Sequence, residues 1–348
     1  MLNGRQDQQG GDNAINAQAG RDVIVQGVTY TEARQIAVDV YRANALELQG
    51  IAQRIASERA EHLVDQFLQK MQANGFERIE QAANPDFQHT LFEAQKAYAR
   101  TGDEVTEAVL VDLLAARAGE SSRSLRQIVL TEAVTAVSRL TPSQIDLVTL
   151  MFMLRHCTTN GLLHRQQILL PIAQTLSLTY ALPETNTAYS YLVYAGVATN
   201  TVMQANLQTV LKHSYPGLLS KGFERSAVES LITAEPAIEQ MLMPCDGDAT
   251  RLQVRGQNEA AITAACNRLG ISEHARFNLN RMQQSSVMPD DEIQAVLTPL
   301  GEPASRLIRL WNSTEIQQHS LTAVGQAVGH ANASRRGLLV ANLSVWIN

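Results

Sequence analysis

From Thr31 to Ala73 the chain runs without a proline, and its apolar residues recur at steps of three and four. Ile36, Val40, Leu48, Ile51, Ile55, Leu63, Phe67 and Met71 mark the stripe, with gaps near Asn44 and Arg59. That period puts apolar side chains on one face of an α-helix. Thr29-Tyr30-Thr31-Glu32 sets a Glu three residues after a Thr, the spacing of a capping box at a helix start. Asn74-Gly75 supplies a stop. A helix over 31–73 is roughly 60 Å long at about 1.5 Å per residue. Helices of that length are usually coiled-coil-like, repeat-like or spread over a partner.

The rest of the first half also reads as helices. Asn84-Pro85-Asp86 opens one that Gly102 ends, a second covers 103–118, and a third runs from Ser121 or Ser122 to Leu140. Thr141-Pro142-Ser143-Gln144 combines a capping Thr, a Pro at the first helical position and a Gln at the third. The helix that follows, to Cys157, is apolar nearly all round and is expected to be the buried centre. Pro171 is expected to kink or break a helix over 164–178. Later helices are expected at 184–197, 201–213, 257–269, 289–299, 303–311 and 314–333. A short strand is expected at Arg251–Arg255, and the tail 338–347 reads as a strand or a docked extended segment. The fold class is therefore mainly α, with minor β near the C-terminus. Three parts follow: a leader over 1–28, a helical domain over 29–182, and a second, mostly helical domain over 183–348.

The leader departs from this pattern. GDNAINAQA (11–19) laid over GRDVIVQGV (20–28) matches Gly11 to Gly20 and Ile15 to Ile24. The match suggests a β-hairpin of two rungs, with Asn13, Ile15, Gly20, Val23, Ile24 and Val25 as contact residues. Two strands alone are marginal in water. An uncharged, proline-free edge such as VIVQGV is a template for further strands. The hairpin thus needs its own helical body or other subunits, and Ile36, Val40 and Leu48 of the long helix join it as expected oligomer contacts.

Chemistry is harder to find. The sequence has no GxxxxGK[ST], GxGxxG, HExxH or GxSxG. No cofactor and no metal site are expected. His156, Cys157 and His164 come nearest to metal-ligand spacing but lack a fourth ligand, and read as structural. Asp246-Gly247-Asp248 begins like a calcium loop without its distal acid, and reads as a turn. Arg268 and His274 have a spacing that some helical ribonucleases use, which makes them the candidate pair for an alternative reading as a nuclease or toxin-like effector. Gly325 and Gly329 allow close helix packing. The net charge of -6 argues against nucleic-acid binding. Three dispersed cysteines suit a reducing compartment. The longest apolar run, 145–154, is too short to span a bilayer. A cytoplasmic, non-enzymatic chain is expected.

Two resemblances add to this. GDNAINAQAGRDVIVQGV resembles the short Gly/Asn/Gln motifs that precede signalling or effector regions in bacterial defence proteins, some of which assemble as amyloid-like seeds. GDNAINAQAGRDV, ARQIAVDVYRANALEL (33–48), NPDFQHTLFEAQKAYARTGD (84–103) and LTAVGQAVGHAN (321–332) together resemble an uncharacterised bacterial family, which implies a domain plan and no mechanism. The resulting expectation is a homo-oligomeric interaction or scaffold protein in phage defence or stress signalling, with room for a protein partner or small ligand.

Overall fold

A helix of 44 residues, α1 (Tyr30–Ala73), realises the long apolar period almost to its predicted ends. The computed structural model describes residues 30–74, 84–120, 122–202 and 204–348. The hairpin expected over 12–28, with Asn13, Ile15, Gly20, Val23, Ile24 and Val25, lies outside them. The chain divides into two compact units, residues 1–56 and 57–348.

Within the second unit α2 to α5 begin where capping residues stand. In α2 (Pro85–Thr101), Asn84 Oδ1 accepts from the Asp86 amide at 2.9 Å. In α3 (Glu104–Ala118), Asp103 Oδ1 accepts from the Thr106 amide at 2.7 Å. Ser124 caps α4 (Leu125–Val137) in the same way. In α5 (Pro142–His156), Thr141 and Gln144 bond reciprocally, at 3.1 and 3.3 Å, so two free amides are satisfied at once. Next come α6 (Leu169–Leu176), α7 (Asn186–Tyr194), β1 (Ala198–Asn200), α8 (Leu207–Ser214) and α9 (Glu229–Ala234). A hairpin of β2 (Leu242–Cys245) and β3 (Asp248–Val254) precedes α10 (Glu259–Leu269) and α11 (Glu273–Ser285). The chain closes with α12 (Asp290–Leu297), α13 (Gly301–Ser313), β4 (His319–Leu321) and α14 (Ala323–Arg335). β1 pairs antiparallel with β4, Ala198 facing Leu321.

The centre is α5. Ile145, Leu147, Val148, Leu150, Met151 and Phe152 are all fully buried. Against it lies α14, which also packs on α3 and α4. The approach is close at Gly329, where a Cβ would stand 2.6 Å from Phe152 Cβ. Gly325 faces the Val197 carbonyl with no room for a side chain. One apolar core runs from Leu63 to Ile347 and includes Leu182, where the sequence suggests a domain boundary. That core takes in residues through Leu219 and resumes at Met288. Between those points a smaller core forms from α9, the β2–β3 hairpin, α10 and α11, centred on Val228, Ile238, Ile262 and Leu279.

Two local expectations change and a third narrows to one of its alternatives. Pro171 does not kink a helix, because a 3-10 turn covers Arg165–Ile168 and α6 begins only two residues before the proline. There a missing amide costs nothing. The helix expected over 314–333 is interrupted: Thr314 is extended (φ -116°, ψ 173°), β4 pairs with β1, and Thr322 caps a fresh start at α14. The tail forms no strand. It docks, with a 3-10 turn over Leu343–Val345 and the Trp346 ring 5.0 Å from Phe152.

Candidate interaction surface

The stripe on α1 meets two environments. Leu63, Phe67 and Met71 are 0%, 2% and 2% exposed, and the Phe67 ring lies 5.8 Å from Phe87. Arg59 fills a gap in the stripe for a reason: its Nη1 donates to the Ala99 carbonyl at 3.1 Å, at the end of α2. Gly102 caps that end in the left-handed region at φ 60° and sits directly beneath the Arg59 guanidinium. Lys70 closes the run with an ion pair to Asp112 at 2.8 Å. Upstream the same period continues into solvent. Residues 49–55 are all exposed, with Ile51 at 42% and Ile55 at 37%. These two stand four apart, on one face of the helix. Covering them removes apolar surface from water, worth about 1 kcal/mol each at their present exposure. Ile36, Val40 and Leu48 lie on α1 upstream of this pair. Their side chains fall outside the described residues.

The residues singled out for chemistry are placed as follows. Arg268 is in the last turn of α10 and His274 in the first turn of α11, separated by the left-handed Gly270 (φ 67°) and by Ser272, which caps α11. Both are exposed. His274 Nε2 lies 3.1 Å from Asn278 Nδ2, one turn along its own helix. His164 turns away from His156 and Cys157, setting Nδ1 3.0 Å from Asp246 Oδ1 in the β2–β3 turn. His156 stacks on Phe152, and burial lowers its pKa first, with the Arg155 charge second. Burial pushes the Cys157 thiol up to about 12, so it stays protonated at neutral pH. Among the described residues no group of three or more His, Cys, Asp or Glu side chains could hold a metal ion.

A buried cation invisible to motif reading lies on α3. Arg117 has no exposed surface. Its Nη2 pairs with Asp86 Oδ2 at 2.5 Å, and its Nε donates to Thr131 Oγ1 at 3.3 Å. The Gln127 amide, oriented with its oxygen inward, accepts at 2.6 Å, and the Phe87 ring lies 5.9 Å below the guanidinium. A cavity of about 370 Å³ opens beside it, lined by Asn84, Asp86, Arg123, Gln127, Thr131 and Glu132. Every one of these contacts is internal, which makes Arg117 the joint that ties α2, α3 and α4.

No helix among the described residues is long and apolar enough to cross a membrane. The chain belongs to an uncharacterised protein family, whose model matches residues 27–347. No curated protein and no solved structure matches it.

Proposed function

We propose that this family member is a homo-oligomeric interaction protein that assembles through α1 and the segment ahead of it. One observation carries the reading: Ile51 and Ile55, four apart on one face of α1 and upstream of the buried Leu63, Phe67 and Met71, stand in solvent in the single chain. A helix exposed on all sides over 49–55 gains nothing from packing, and helices hold chiefly by packing. A second copy carries the same stripe, and a two-fold arrangement makes such a stripe self-complementary. The resemblance of residues 11–28 to motifs of bacterial defence proteins supports a role for the assembly in phage defence or stress signalling.

The test is the mass of the full-length protein by light scattering, beside the double variant Ile51→Asp/Ile55→Asp and a chain starting at Val28. The parent is expected to be an oligomer, and the double variant is expected to shift toward monomer. A monomeric parent sinks the reading. An oligomer indifferent to the double variant moves the contact away from α1.

A further inference from the structure

The stretch 221–286 is set apart by its own core. Its apolar side chains, from Phe223 to Leu279, cluster among themselves and apart from the main core. Its helices and strands find their principal neighbours inside the same stretch: β2 on β3, α10 on α11 and α11 on β3. The chain enters and leaves it side by side. Ser220 and Val287 face each other in an antiparallel bridge. The Lys221 amide donates to the Ser286 carbonyl at 2.7 Å, and the Met288 amide to the Leu219 carbonyl at 2.8 Å. The buried hydroxyls of Ser220 and Ser286 lie 2.9 Å apart. A neck of two short paired segments can absorb a rotation while both cores stay packed.

Polar contacts hold this stretch against the body. Asp246, in the β2–β3 turn, has Oδ1 3.0 Å from His164 Nδ1, and its Oδ2 accepts from the Arg165 amide at 2.5 Å. Arg165 also grips the neck, its Nη2 donating to the Ser220 carbonyl at 2.8 Å. Gln257 bridges to the loop after α5: Oε1 accepts from the Leu162 amide at 3.0 Å, and Nε2 donates to the Thr159 carbonyl at 2.8 Å. The Gln257 carbonyl accepts from the Gly217 amide at 3.0 Å. Hydrogen bonds given up to water are largely replaced, so their net cost is small. Opening an apolar core has no such replacement.

We propose that residues 221–286 form a hinged module that swings from the body in one piece about its neck, with Asp246 as the latch on His164 and Arg165. Opening bares the loop after α5 and leaves both cores intact. The proposal is independent of self-assembly, because none of its residues lies on α1.

Hydrogen exchange of the full-length protein, read by mass spectrometry, tests it. The amides of Leu162, Arg165 and Gly217 are all donated across the seam. In the parent, peptides holding Leu162 and Gly217 are expected to exchange faster than those holding Ile262 and Leu279, since local opening precedes loss of a core. Asp246→Ala removes the acceptor of Arg165 alone. It is nevertheless expected to speed exchange at Leu162 and Gly217 at least about fivefold, with Ile262 and Leu279 unchanged. His164→Ala, on an exposed ring, is expected to act in the same direction without risk to folding. Acceleration confined to Arg165 overturns the proposal, because the contacts then break singly. So does acceleration that spreads to Ile262 and Leu279, which is unfolding, or a seam as protected as those cores in the parent.

Discussion

Arg336 Nη2 donates to both carboxylate oxygens of Asp146, at 2.7 and 2.8 Å. The pair joins α14 to α5. The fully buried Asn332 shares it, donating to Asp146 Oδ1 at 3.1 Å and to Thr149 Oγ1 at 2.8 Å. Both charged side chains are mostly covered, at 13% and 26% exposure, so the interaction is screened little by solvent.

Removing one partner therefore strands the other. Asp146→Ala is expected to cost about 3 kcal/mol, since breaking a covered pair leaves an uncompensated charge. Urea unfolding of the variant measures this. A loss no larger than a surface ion pair gives, below about 1 kcal/mol, would show that the α5–α14 joint does not depend on it.

Gly329→Ala tests the close packing of the same two helices. Alanine favours a helix over glycine by about 1 kcal/mol. The added Cβ, however, would meet Phe152 Cβ at 2.6 Å and the Val148 carbonyl at 3.2 Å. The clash falls on a buried Cβ and a backbone oxygen, neither of which can swing aside. A net loss of about 1–2 kcal/mol is expected from overpacking, read as a lower urea midpoint. A more stable variant contradicts the observed approach.

Acid should loosen the docking of the tail. His330 Nε2 lies 2.8 Å from the Ala341 carbonyl, so this nitrogen carries the proton in the neutral ring. Trp346 Nε1 donates to the His156 carbonyl at 2.7 Å. Burial lowers the pKa of both histidines below the ordinary 6.5. The unfolded chain takes up protons first, so the stability these rings contribute is present above pH 6.5 and is lost as pH falls below it. Urea midpoints at neutral pH and at mildly acid pH should differ, and His330→Gln should flatten the difference. An unchanged pH slope in that variant rules His330 out as a contributor.

Arg117 admits no conservative replacement. Lysine keeps the charge but cannot reach Asp86, Thr131 and Gln127 together from one planar head. Arg117→Lys is expected to cost about 2 kcal/mol through acceptors left unpaired. Equal thermal stability of variant and parent would show that the joint tolerates a point charge.

Helix positions were legible wherever local chemistry decides them. Asn84, Asp103 and Thr141 each cap the helix that follows, through contacts no more than three residues away, whereas α4 is capped by Ser124 and not by the expected Ser121 or Ser122. The apolar character of α5 likewise announced its central place, because a helix without a polar face has nowhere else to go. The interruption at 314–322 was not legible. Its strand exists only because β1, more than a hundred residues earlier, lies alongside. The latch at Asp246 was invisible for the same reason: His164 and Arg165 stand 82 and 81 residues earlier and share no motif with it.

By itself the sequence determined the length of α1 and the starts of α2, α3 and α5, since these depend on neighbours within a turn or two. Only the tertiary structure decided that α14 lies against α5, that one core spans residue 182, and that Arg59 occupies the break in the α1 stripe. Those choices depend on contacts between distant segments, where shape and charge must match at a few ångströms and periodicity carries no information about the partner. The exposed Ile51 and Ile55 sit at that limit: the sequence placed them on the apolar face, and the folded chain left that face uncovered.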